Sequence, residues 1–164
     1  MGEVGLKKLI RRIRSDKIVS FIISAVFAIF ACYQLFQMIV MMQAGDYGNA
    51  TLQDHGALFV KLSCLAVSQL LLSLVLLEIS KSGKPFGKGN VKKVRGMALV
   101  LIASYPLQML LSLILEGMNT ASNGFIVKIQ FDDIVVVLFG AIIGIISEIF
   151  FYGKEIEEEM DTIA

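Results

Sequence analysis

The chain has no tryptophan, one histidine, two cysteines and two prolines in 164 residues, and only 18% of it is charged. Each scarcity closes a class. Two cysteines cannot build a disulfide scaffold, and Cys32 and Cys64 form no CxxC, which argues against a thiol–disulfide enzyme. They read as packing residues, since a buried cysteine behaves as a small hydrophobe. The single histidine, His55, has neither a second histidine nor a cysteine nearby, so no metal-ligand set exists and no cofactor is implied. Alone it cannot complete a nucleophile–base–orienter arrangement, and it is expected in a solvated external loop. Composition also excludes collagen and disordered classes. Fifteen Lys and Arg stand against fourteen Asp and Glu. That balance implies neither an acidic nor a basic partner and gives no reason to expect direct nucleic-acid binding.

What is present is apolar sequence in long blocks. Hydrophobic residues make up 56% of the chain, and the mean hydropathy is +0.76. Ile18 to Met42 carries no formal charge, and neither does Gly96 to Leu115. Leu62 to Leu77 becomes long enough if it starts near Gly56 and lets Lys61 snorkel outward. Ile134 to Tyr152 contains one carboxylate, Glu148. About 20 residues at 1.5 Å each cross roughly 30 Å of hydrocarbon. The runs are continuous rather than alternating, which selects helices over barrel strands. The sequence therefore predicts an all-α integral membrane four-helix bundle, with spans over 18–42, 57–78, 96–116 and 134–152. A basic segment, 1–17, precedes them and an acidic tail, 153–164, follows. The first apolar run is too long for a secretory signal and is expected to be a retained anchor.

Orientation follows from the basic residues. Six precede the first span, six lie between Glu78 and Arg95, and Lys154 follows the fourth span. Only Lys61 and Lys128 fall on the other side. The excess predicts both termini and the middle loop in the cytoplasm. Leu6, Leu9, Ile10 and Ile13 recur at helical spacing among basic residues. They describe either a short interfacial helix on an anionic leaflet or simple topogenic charge.

Enzyme motifs are absent, and a non-enzymatic protein is expected. The stretch Gly83-Lys84-Pro85-Phe86-Gly87-Lys88-Gly89 lacks the spacing and the Ser/Thr of a P-loop. Polar residues inside the spans are more informative. Gln34, Gln69 and Gln108 are expected at similar mid-bilayer depth, either as hydrogen-bonding glue between helices or as a layer lining a solute path. Pro106 is expected to kink the third helix. Gly140, Gly144 and Glu148 fall on one face of the fourth. Glu148 is expected to pair with Arg95, or failing that with a middle-loop lysine or Lys17.

Two stretches carry a family resemblance. Gly83-Lys84-Pro85-Phe86, then Asn90-Val91 and Arg95-Gly96-Met97-Ala98, form one. The other is the tail from Ser147-Glu148-Ile149-Phe150 through Tyr152-Gly153-Lys154 and the glutamates to Asp161-Thr162. Both resemble the middle loop and ending of the YoaS-like family of small bacterial four-span membrane proteins, a domain of unknown function. The chain departs from the family pattern at Ile156-Glu157, where Leu-Gln is usual, and in a shortened Asp-Thr ending. The resemblance implies a bacterial cytoplasmic membrane and a cytoplasmic helix-turn-helix regulator as partner, with no catalytic residues to carry over. Lys84, Pro85 and Phe86 in the loop, and Glu155, Glu157, Glu158 and Glu159 in the tail, are the residues expected to make the interaction. The alternative is a small transporter or channel component built on the glutamine layer; oligomeric state is not legible.

Overall fold

The computed structural model describes residues 3–45, 50–82, 87–118 and 130–163, with the side chains of 3–11, 88, 157, 158 and 161–163 outside the description. The described residues form four helices: α1 (Glu3–Gln43), α2 (Ala50–Ser82), α3 (Lys88–Gly117) and α4 (Phe131–Ile163). All four are long and apolar enough to cross a membrane. At 1.5 Å per residue, the 41 residues of α1 extend for about 61 Å, twice the hydrocarbon thickness, so the helices project beyond any span they make.

Burial is distributed as lipid exposure requires. The chain exposes 10640 Å², against roughly 8,000 Å² expected of a soluble monomer of its mass. The surplus is apolar: Phe21, Ile29, Phe36, Leu99, Ile145 and Ile149 all point outward. Many residues buried between helices are instead small or polar, among them Ser20, Ser24, Ala31, Ala66, Ala98, Ser104 and Ser147. Helices gain little hydrophobic drive from one another in lipid, so close backbone approach and hydrogen bonds hold them. Ser24 Oγ donates to the Ala66 carbonyl at 2.8 Å, and Ser20 Oγ lies 3.0 Å from both the backbone carbonyl and the Oε1 of Gln69. Ser73, Ser104 and Ser147 donate back to carbonyls of their own helices.

Each helix packs on its sequence neighbours, α1 on α2, α2 on α3 and α3 on α4; among the described residues α1 and α4 do not pack against each other. The bundle is therefore open between its first and last helices. Successive helices alternate in direction, so the start of α1, the end of α2, the start of α3 and the end of α4 share one end, called here the terminal end. The opposite, distal end holds a small core of Met38, Leu52 and Leu115, with Phe59 and Leu111 against it.

Two expectations need correction. α2 begins at Ala50, so His55 is helical and half-buried rather than a solvated loop residue. The basic segment belongs to the single helix α1 and continues the first span without a break, instead of forming a separate interfacial helix. α4 likewise runs unbroken through Gly153 to Ile163, so the acidic tail is helical. α3 continues past Pro106, whose missing N–H removes one intrahelical bond to the Ile102 carbonyl.

Candidate functional site

Close contacts fix the register between helices. Ser20 meets Gln69, and Gln34 meets His55. A Cβ on Gly56 would touch Leu111 and Leu115, and one on Gly140 would touch Leu101 and Ile102. Extending those registers puts Lys61 of α2, Gln108 of α3 and the start of α4 at one level, toward the distal end.

A charged cluster occupies that level. Lys61 is one of the most buried residues of α2, its side chain 7% exposed. Its Nζ lies 2.5 Å from Asp132 Oδ2 and 2.7 Å from Asp133 Oδ1. Asp133 is 5% exposed, whereas Asp132 is 59% exposed. Lys61 therefore does not snorkel outward; it turns inward because two carboxylates compensate its charge there. Those carboxylates sit in the first turn of α4, where the unpaired N–H groups and the helix dipole favour negative charge. Asp133 Oδ2 also accepts the Gln130 backbone N–H at 3.1 Å. Gln108 is buried at the same level, and its Nε2 makes no hydrogen bond among the described residues. Ionisable groups at membrane depth are costly and mark functional positions. This cluster is the candidate site, and Asp132 and Asp133 are residues that the sequence reading missed. The signal was available: two adjacent aspartates open the fourth apolar block at the depth where Lys61 enters the second.

The expected glutamine layer does not form. Gln69 bonds to Ser20, whereas Gln34 Oε1 accepts from His55 Nδ1 at 2.5 Å. Those two pairs are 14 residues apart on both helices, about 21 Å along the axis. Gln108 belongs to the Lys61 level, between them. The three amides stand at separate levels, because residue counting from the ends of the apolar runs does not register one helix against its neighbour.

At the terminal end two ion pairs join neighbouring helices. Lys93 pairs with Glu78 across the α2–α3 connection. Arg95 Nη2 lies 2.9 Å from Glu148 Oε1, joining α3 to α4. Both members of the second pair are about half exposed, at 52% and 55%. On the α4 face below it Ser147 is buried, and a Cβ on Gly144 would meet Ala98 at ordinary van der Waals distance. Beyond the pair, the Phe151 and Tyr152 rings meet edge to face, and Lys154 Nζ stands 5.6 Å from the Phe151 centroid. Glu155 and Glu159 are exposed on the tail helix. Lys84, Pro85 and Phe86 lie outside the described residues, as do the side chains of Glu157 and Glu158.

No family model, curated protein or solved structure matches this chain.

Proposed function

We propose that the protein is a non-enzymatic multi-pass protein of a bacterial cytoplasmic membrane, similar to the YoaS-like family, that binds or regulates a cytoplasmic partner. The partner favoured by that resemblance is a helix-turn-helix regulator. The observation that carries this reading is the tail: α4 leaves its apolar block as an unbroken helix and holds Glu155 and Glu159 exposed beyond it. A rigid row of carboxylates suits the basic surface such a regulator uses for phosphates. Lys84, Pro85 and Phe86, in the connection between α2 and α3, are the other residues the resemblance assigns to the interaction. The test is co-purification in mild detergent from the protein's own cells. A regulator should be retained by the intact chain at low salt and lost when Glu155, Glu157, Glu158 and Glu159 are changed together to Gln. Equal retention by that variant would contradict the reading.

A second reading, ion-coupled transport, is supported by the Lys61–Asp132–Asp133 cluster rather than by the glutamines.

A further inference from the structure

At the terminal end α1 and α2 leave a cleft of about 290 Å³ between them. Ile18 and Phe21 wall it on one side, and Leu70, Leu74 and Leu77 on the other. Ser73 also lines it, but its hydroxyl is committed to the Leu70 carbonyl at 2.8 Å and offers the cleft no donor. Among the described residues the lining holds one charged side chain, Lys17. It is half-buried, and no described residue forms an ion pair with it.

The surroundings reinforce that charge. Arg14, one turn before Lys17 on α1, is exposed, as is Lys81, one turn past Leu77 on α2. Two acids stand nearby. Glu78 is engaged by Lys93, and Asp16 is exposed on the adjoining position of α1, turned about 100° from Lys17 around the axis. An apolar slot whose mouth carries an ammonium with no ion-pair partner among the described residues, and two more exposed cations beyond it toward the terminal end, matches an amphiphile with an alkyl tail and an anionic head. It opens where the apolar block of α1 meets its basic segment, the depth of lipid headgroups.

We propose that this cleft is a specific binding site for one anionic phospholipid of the surrounding bilayer, with an acyl chain against Phe21, Leu70 and Leu74 and the phosphate on Lys17. A zwitterionic lipid offers the same phosphate but brings its own cation against Arg14 and Lys81, which is the basis of the discrimination. The site depends only on the chain lying in a membrane, not on the partner reading above.

The absence of tryptophan provides a clean test. Phe21→Trp places a single fluorophore in the cleft. Ile145→Trp places another on an exposed face of α4, about one turn nearer the terminal end by the helix registers and away from the cleft. Each variant is reconstituted in phosphatidylcholine bilayers containing increasing fractions of phosphatidylglycerol, with one or the other lipid brominated as quencher. At Phe21→Trp the anionic lipid should be preferred about fivefold, the increment of one lysine at a charged interface. Ile145→Trp should show little preference. Adding Lys17→Gln to the Phe21→Trp reporter should abolish most of the preference and Lys17→Arg should retain it, while Arg14→Gln and Lys81→Gln should each reduce it in part. Equal quenching by both lipids at Phe21→Trp would overturn the proposal. So would an equal preference at Ile145→Trp, or a preference that all the neutralised variants leave unchanged.

Discussion

Lys61 and Arg95 are both ion-paired cations, yet their surroundings give them different weights. Lys61 and Asp133 are almost wholly removed from solvent, so deleting the lysine strands a buried carboxylate. Breaking such a pair costs about 3–5 kcal/mol, whereas replacing the whole group by neutral residues is often nearly free. Lys61→Met should therefore lower the thermal unfolding midpoint in detergent sharply, and Lys61→Met with Asp132→Asn and Asp133→Asn should recover most of the loss. Asp132→Asn alone should cost under about 1 kcal/mol, because Asp132 is largely exposed. Glu148→Gln belongs to the same weak class, since both members of its pair are half exposed. A Lys61→Met variant as stable as the parent would remove the cluster from the account. The Glu148–Arg95 pair was legible in the sequence because both residues stand at the same end of neighbouring spans. The Lys61 cluster was legible only in part: Lys61, Asp132 and Asp133 all stand at the distal ends of their apolar blocks, but the contact joins helices two apart in order and depends on how far α4 starts before its block.

Helix contacts decide the architecture at the next scale, and the glycines of α4 show how. A Cβ at Gly140 would come within 3.0 Å of the Ile102 backbone nitrogen and the Leu101 Cβ, atoms that cannot swing aside. At Gly144 the nearest atom would be Ala98 Cβ at an ordinary 3.7 Å. The close approach of α3 and α4 therefore hangs on the first glycine. Gly140→Ala should destabilise by about 1–3 kcal/mol through overpacking, while Gly144→Ala should change stability little. Thermal melts of the two variants in one detergent check this, and equal effects would refute it. Spacing alone placed both glycines on one face, but the difference between them needs the tilt of α4 across α3. The helical state of all four elements was legible from the apolar blocks. Their lengths were not: hydropathy ends where charge begins, whereas α1, α2 and α4 carry their hydrogen bonding well into the charged flanks.

Over its described residues the chain forms four antiparallel helices with apolar exteriors, many small and polar side chains between neighbours, and no packing between α1 and α4. Its charge is sorted along the helix axis. Basic residues crowd the terminal end, in the first segment of α1 and around the start of α3, and the acidic tail of α4 emerges there too. The distal end has few cations, and Lys61 is neutralised within the protein. The partner reading depends on this molecule lying across a membrane with the terminal end in the cytoplasm, and the lipid site on its lying in a membrane at all. Impermeant-thiol labelling of intact cells tests that most directly, using single cysteines placed at Gly83 and Asn123 in a Cys32→Ser, Cys64→Ala background. The cysteine replacing Asn123 should label without permeabilisation, and the one replacing Gly83 only after it; labelling of the latter in intact cells would contradict the account.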